Sequence, residues 1–461
     1  MQAFAAKMKT RNLSLDEFHG SVAVPPRDAG VLRRYRAFAG PALLIGVGYM
    51  DPGNWATDLQ AGAQFGYGLL WVVALASLMA IFLQAIAARL GIATGKDLAQ
   101  ACHDWYPRWT RWPNWALAEI AIGACDLAEV LGSAVALNLL FHIPMFWAVL
   151  VTACDVLLLL ALRRFGMRLI EAVILVLVAT IGVCYFLELV VLPATRPDLA
   201  AIGAAIFHPA LDRAGMTTLA IGIVGATVMP HNLYLHSALV QSRRIDTDDD
   251  AKRAAIRFNM FDCVAALVVA FLINAAILVL AALVYHDSAE LTVAGVRYVF
   301  DAGTDWIRVA YLTLTPLLGA ATASVVFAVA LLASGQSSTI TGTLAGQVVM
   351  EGFTRWRVAP WQRRLITRLA AIVPAILLIG WRGDGNVTDL LVLSQVVLAL
   401  QLPFALFPLL HFTSRAKFMG RWKNGPLLLV AGWSGAILIA AMDLYGLPGA
   451  LAEAWRVVAG G

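Results

Sequence analysis

The chain alternates between long apolar runs and short polar, basic stretches. The runs lie at roughly 39–64, 69–94, 114–141, 145–162, 168–192, 216–241, 256–285, 311–340, 365–381, 388–411 and 425–446. Each is near the ~20 residues that cross a bilayer as a helix. None shows the two-residue apolar/polar alternation of a membrane barrel strand, and backbone groups in hydrocarbon must bond within the segment, so helices are expected. Two runs are interrupted at their centres. The first breaks at Asp51-Pro52-Gly53-Asn54, and the sixth at Met229-Pro230-His231-Asn232. Proline removes a backbone donor and clashes with the preceding turn, so each break should free carbonyl oxygens at membrane depth.

Composition agrees with a polytopic membrane protein. Of the 461 residues, 60% are hydrophobic and 14% charged, against about 25% charged in soluble domains; the mean hydropathy is +0.76. The net charge of +5 gives no reason to expect a nucleic-acid partner, and no obligate protein partner is evident. The first 30 residues lack the apolar stretch of a cleavable signal. Residues 1–35 read as a mobile cytoplasmic tail carrying Lys7, Lys9, Arg11, Arg27, Arg33 and Arg34. The five cysteines form no CxxC pair and are expected beside helices as small apolar residues.

Loop charges set the expected orientation, because cytoplasmic loops carry the Lys/Arg excess. Basic residues cluster after the second span (Lys96, Arg108, Arg111), the fourth (Arg163, Arg164, Arg168) and the sixth (Arg243, Arg244, Lys252, Arg253, Arg257). They cluster again after the eighth (Arg355, Arg357, Arg363, Arg364) and the tenth (Arg415, Lys417, Arg421, Lys423). This puts the N-terminus in the cytoplasm and, with an odd number of spans, the C-terminus outside. Asp248-Asp249-Asp250 reads as a solvated connector.

The two breaks share the form X-Pro-x-Asn and open consecutive five-helix blocks. An odd number of helices per block inverts the second block relative to the first, the arrangement in which paired broken helices build a transporter's site near the midplane. The domain expected is therefore one transporter unit, 36–461. It has a first repeat over about 39–192, a second over about 216–411, and one extra helix over about 425–446. A carboxylate inside a span is a functional-site hypothesis by default. Together the breaks offer the Asp51 carboxylate, the Asn54 amide oxygen, the Met229 thioether and freed carbonyls near Gly48 and Ala226, with no Lys or Arg. An all-acceptor set suits a small cation, and the soft sulfur turns the preference toward transition metals.

These motifs identify a family. DPGNWATDLQAGAQFGYGLLW (51–71), GATVMPHNLYLHSALVQSR (225–243) and ASGQSSTITGTLAGQVVMEGF (333–353) make the chain resemble the Nramp family of proton-coupled divalent-metal transporters, of the bacterial manganese-transporter type. The resemblance implies an all-α, LeuT-type membrane fold with eleven spans, in the cell membrane, importing Mn²⁺, Fe²⁺ and similar ions with protons. Cd²⁺, Co²⁺ and Zn²⁺ are further candidate cargoes, and no bound cofactor is implied. It also implies that Asp51, Asn54 and Met229 ligate metal, joined by the Ala226 carbonyl and, in one conformation, by Gln395. The family often has Ala where this chain has Gly48, and a smaller or other apolar residue where it has Trp55.

Proton transfer needs its own groups. Glu119, Asp126 and Glu129 lie at helical spacing on one face of the third span, and buried carboxylates in a row are expected of proton relays. The resemblance implies that they form the proton route from Asp51 together with Arg363 and Arg364. His231 either tunes Asp51 or gates the proton path, or else bonds to a neighbouring helix, and His236 reads as structural. Asn274 and Gln395 serve either the site or an interhelical hydrogen bond. Thr57, Asp58 and Gln60 are expected to line a solvent vestibule. The competing reading is a LeuT-type carrier for amino acids, which Asp51 opposes. No HExxH motif supports a membrane metallohydrolase, and no repeated filter sequence supports a channel.

Overall fold

The computed structural model describes residues 14–26, 28–154, 166–187, 197–286, 290–293, 296–300, 304–318, 323–382 and 387–459. Helices begin and end where the sequence supplies the chemistry. A short strand β1 (Val22–Ala23) and helix α1 (Val31–Phe38) precede α2 (Pro41–Gly48). Then follow α3 (Pro52–Phe65), α4 (Leu70–Thr94), α5 (Leu98–Trp105), α6 (Arg111–Phe141), α7 (Met145–Thr152), α8 (Met167–Phe186) and α9 (Leu199–Phe207). The second half contains α10 (Met216–Val228), α11 (Pro230–Leu239), β2 (Arg243–Arg244), α12 (Asp249–Tyr285), the hairpin β3 (Glu290–Val293) and β4 (Val296–Val299), and α13 (Trp306–Leu318). It closes with α14 (Ala323–Thr354), α15 (Pro360–Arg382), α16 (Val387–Ser414), α17 (Ala416–Met419) and α18 (Pro426–Ala459).

Among the described residues, nine helical stretches are long and apolar enough to cross a membrane. The chain is a multi-pass membrane protein. The expected span at 39–64 is divided between α2 and α3, each too short by itself. The one at 145–162 runs beyond the described residues. Burial separates centre from edge: the apolar window of Met216–Ser242 is 94% buried, that of Pro426–Gly449 only 28%. The interrupted segments thus form the axis of the bundle. Around them α6 packs along α14, α3 against α12, and α10 against α16.

Three expectations are corrected. The span placed at 311–340 is in fact two helices, α13 and α14, and α14 runs on to Thr354. The expected span ended within the polar stretch Ser334–Thr343 of α14. That stretch is buried, and its hydroxyls bond back to their own helix, Ser337 to the Ser334 carbonyl at 2.9 Å and Thr343 to that of Thr339 at 2.8 Å. The acidic run 248–250 is solvent-exposed as expected, but it opens α12 and is more than a connector. Asp248 caps α12 by accepting from Ala251 N at 2.9 Å, and Asp249 and Asp250 lie in the first turn, where negative charge complements the helix dipole.

The N-terminal segment, expected to be mobile, is packed from Ser14 on. Leu15, Phe18 and Val22 are buried. Leu15 N donates to Glu351 Oε2 at 3.0 Å, Gly20 N to the Gln241 carbonyl at 3.0 Å, and β1 pairs in parallel with β2. Three apolar side chains among polar ones gave no periodic signal, so only the docking partners reveal the order.

Candidate metal centre

Both breaks are built in the same way. Pro52 and Pro230 lack N–H groups, so the carbonyls four residues earlier, Gly48 and Ala226, lose their helical partners. Asp51 caps α3: its Oδ1 accepts from Asn54 N at 2.7 Å and from Asn54 Nδ2 at 2.8 Å. The same Asn54 Nδ2 donates to the Ala226 carbonyl at 3.0 Å. One amide therefore bridges the carboxylate of the first break and the free carbonyl of the second. Asp51 Oδ2 is buried and has no hydrogen-bond partner among the described residues.

Met229 turns the second break at φ +29°, a conformation unusual for a side-chain-bearing residue, and is fully buried. Backbone strain of this kind collects at functional sites. Asn232 Nδ2 lies 3.5 Å from Met229 Sδ. It also lies against the first break, because a Cβ on Gly48 would stand 2.4 Å from it. Gly48 makes room for Asn232. The two asparagines thus reach across reciprocally, Asn54 to Ala226 and Asn232 to Gly48. The Gly48 carbonyl accepts from Asp51 N at 3.3 Å.

Further side chains hold the first break open. Asn274 Nδ2 donates to the Tyr49 carbonyl at 2.8 Å and to Asn54 Oδ1 at 3.2 Å. Trp55 Nε1 donates to the Met50 carbonyl at 3.2 Å, and Ser334 Oγ donates to it too. The Trp55 ring meets Tyr185 and Phe327 edge-on, with centroids 5.1 and 5.4 Å away. Sequence reasoning gave Trp55 no role and left Asn274 undecided; both position the break. Trp55→Ala should cost about 3–5 kcal/mol, as for other large-to-small core changes, read as a lower thermal unfolding midpoint. Trp55→Phe should keep most of the ring packing and lose the Met50 contact.

Gln395 is fully buried and packs on the first turn of α3, where a Cβ on Gly53 would stand 1.8 Å from its Nε2. Its Nε2 donates to Ser394 Oγ at 3.0 Å, while Oε1 has no partner among the described residues. Thr57 and Asp58 do not line an open vestibule. Both are buried, and Thr57 bonds to the Gly53 and Asn54 carbonyls of its own helix.

The carboxylates of α6 are held by α14 and α15. Glu119 receives Arg363 at 2.8 Å and Trp115 Nε1 at 3.1 Å. Deeper, Glu129 accepts from Ser338 Oγ at 3.0 Å and lies 3.6 Å from Arg368, both partners being fully buried. Asp126, one turn earlier, is buried as well. The row comes up to the first break, since a Cβ on Gly132 would stand 2.1 Å from that of Pro52. Sequence reasoning paired these acids with Arg363 and Arg364. The structure brings Arg363 and Arg368 to them, and the Arg364 side chain lies outside the described residues. An arginine inside the expected span 365–381 was the one available signal for Arg368, and its spacing from the acids gave none.

His231 is buried beside the second break, and its Nδ1 has no partner among the described residues. His236 joins a different chain of bonds: its Nδ1 lies 3.0 Å from Gln84 Oε1, and Gln84 Nε2 donates to Tyr49 OH at 2.7 Å. No group of three His, Cys, Asp or Glu side chains converges among the described residues. The centre is one carboxylate surrounded by neutral oxygen, nitrogen and sulfur groups, a moderate site for a divalent ion and unlike a closed structural zinc site.

Comparison with known proteins gives the family. A protein named divalent metal cation transporter MntH from Nostoc sp. is 49% identical over 434 residues, covering 94% of this chain and 95% of the relative. One from Pseudomonas aeruginosa, named divalent metal cation transporter MntH 1, is 51% identical over 424 residues, covering 92% and 94%. Among solved structures, the manganese transporter of Eremococcus coleocola superposes with a TM-score of 0.85 at 37% identity, covering 96% of this chain and 92% of that one. A nucleobase-cation-symport-1 family transporter matches in fold alone, with a TM-score of 0.50 at 14% identity. The profile of the natural resistance-associated macrophage protein-like family matches residues 42–448, and the chain belongs to this Nramp family.

Proposed function

We propose that the protein is a secondary transporter that imports divalent transition-metal ions, Mn²⁺ and Fe²⁺ foremost, coupled to protons by alternating access. The observation that carries this reading is the junction of the two breaks. There the orphan oxygen of Asp51, the Asn54 amide, the Ala226 carbonyl and the Met229 sulfur stand at the most buried part of the bundle. The names of the relatives, divalent metal cation transporters and a manganese transporter, support the cargo class. Cd²⁺, Co²⁺ and Zn²⁺ are further cargoes of the same kind.

The ligand set is Asp51, Asn54, Met229 and the Ala226 carbonyl, with Gly48 and Gln395 adjoining. The Asn54 Nδ2 group now lies between two acceptors, where a cation would satisfy both. For Asn54 to ligate through its oxygen, its amide must turn over and release Asn274. A carboxylate must be deprotonated to ligate metal, so metal and proton compete at Asp51. The proton released there has His231, Asp126, the Glu129–Arg368 pair and the Glu119–Arg363 pair as its route along α6.

The architecture proposed is LeuT-type, with inverted five-helix repeats, eleven spans and the first and sixth interrupted. The protein sits in the cell membrane with its N-terminus in the cytoplasm and its C-terminus outside. The reciprocal use of Asn54 and Asn232 supports the repeat relation.

The test is Mn²⁺ uptake into proteoliposomes, competed with a panel of divalent ions at two external pH values. Fe²⁺, Cd²⁺ and Co²⁺ should compete, excess Ca²⁺ and Mg²⁺ should not, and uptake should rise with external acidity. Met229→Ala should narrow the preference for Mn²⁺ over Ca²⁺ by on the order of tenfold or more, because a soft ligand is lost. Unchanged discrimination would reduce the sulfur to packing.

A further inference from the structure

A groove of about 490 Å³ opens on the side of the bundle between α2, α8 and α12, apart from the metal centre. Its walls are apolar: Leu43, Met50, Leu175, Val178, Ala266 and Val269 line it, with Leu175 and Val269 exposed. Its mouth is polar, formed by Tyr35 and Arg36 of α1 and by Arg168 and Glu171 of α8, with Asp262 of α12 behind them. The acids at the mouth are buried and engaged. Glu171 lies 2.7 Å from Arg243 and 2.9 Å from Arg168, and Asp262 Oδ2 accepts from Gly40 N at 3.1 Å and Ala42 N at 3.0 Å. Arg168 commits its guanidinium to Glu171 and to the Arg36, Ala37 and Ala39 carbonyls, so the positive charge left facing outward is that of Arg36 and Arg33, both exposed. Val31 and Leu32 of α1 are exposed at 74% and 63%, as in a helix lying in a membrane interface with its basic residues toward the headgroups.

We propose that this groove holds an acyl chain of an anionic phospholipid, with the lipid phosphate held at Arg36. Lipid tails are as apolar as the groove, so filling it gains little over the bilayer itself. Selectivity comes from the headgroup, because basic side chains at the interface favour anionic lipid roughly fivefold each. The occupant runs beside α2 from the Arg36 end to Met50, the neighbour of Asp51. It thereby opposes displacement of α2 toward α8 and α12.

The test uses the full chain in nanodiscs of mixed phosphatidylcholine and phosphatidylglycerol. A phosphatidylglycerol carrying a photoreactive group in its acyl chain should label residues of α2, α8 and α12. Native mass spectrometry should find phosphatidylglycerol retained over phosphatidylcholine. Arg36→Gln, whose side chain makes no hydrogen bond or ion pair among the described residues, should reduce that preference roughly fivefold. Ala265→Trp, at an exposed groove position, should block labelling while the unfolding midpoint stays near that of the wild type. Labelling that survives Ala265→Trp, or equal retention of both lipids, would overturn the proposal. Neither readout involves ion uptake, so the result is independent of the transport reading.

Discussion

Asp51→Ala should abolish Mn²⁺ uptake in proteoliposomes, and Asp51→Asn should do nearly the same while leaving the fold intact. The asparagine keeps an acceptor for Asn54 N and so retains the cap of α3, whereas alanine removes it. What both lose is the negative charge of the break itself. The remaining donors are an amide, a carbonyl and a thioether, and none offsets the dehydration of a divalent ion. At an effective dielectric of about 20, unit charges 4 Å apart interact by about 4 kcal/mol, and a divalent ion doubles that. Half of this sum is already a loss of more than about a hundredfold in affinity. The measurement is initial uptake rate and Mn²⁺ binding for protein that elutes and melts as the wild type does. Wild-type uptake in either variant would remove Asp51 from the site.

Arg368→Met should lower stability by about 3–5 kcal/mol, the usual consequence of leaving one member of a buried ion pair without the other. Glu129 and Arg368 are both fully buried, so water cannot replace the guanidinium. The double variant Glu129→Gln/Arg368→Met removes both charges and should recover most of the loss. It keeps an acceptor for Ser338 Oγ in the amide oxygen. In proteoliposomes the double variant should still move Mn²⁺ but respond less to a pH gradient, because two groups of the proposed proton route are gone. An Arg368→Met protein that melts like the wild type would show that the pair is not what holds α6 to α15. Recovery of stability without any change in pH response would take Glu129 and Arg368 off the route.

Much of the site was legible because its chemistry is local. Asp51-Pro52-Gly53-Asn54 contains its own helix stop, its own cap and its own carboxylate. Met229-Pro230 contains a second helix stop and the sulfur. Proline acts on the carbonyl four residues earlier in any context, so the freed groups at Gly48 and Ala226 follow from the chain itself. The apolar runs gave the membrane class for the same reason: a bilayer reads length and hydropathy, which are properties of a segment.

What failed to show was set by neighbours. The polar run from Ser334 to Thr343 resembles a loop in composition, yet it continues α14, because α6 and the first break bury it and its hydroxyls bond back along the helix. Arg364 looked as good a partner for the acids as Arg363, and nothing in the spacing singled out Arg368. Thr57 and Asp58 follow the break in sequence as vestibule residues would, but the bundle closes over them. Trp55 had no role until Tyr185 and Phe327, more than a hundred residues away, were found against its ring.

The sequence by itself determined that this is a many-span helical membrane protein with two interrupted helices and one carboxylate at the first interruption. Helix breaking, capping and hydropathy act over a few residues and do not wait for the fold. Tertiary structure alone decided which groups meet: Asn54 with Ala226, Asn232 with Gly48, Gln395 with Gly53, and Glu129 with Arg368. Those contacts join residues far apart in the chain, and only the packing of whole helices fixes their distances.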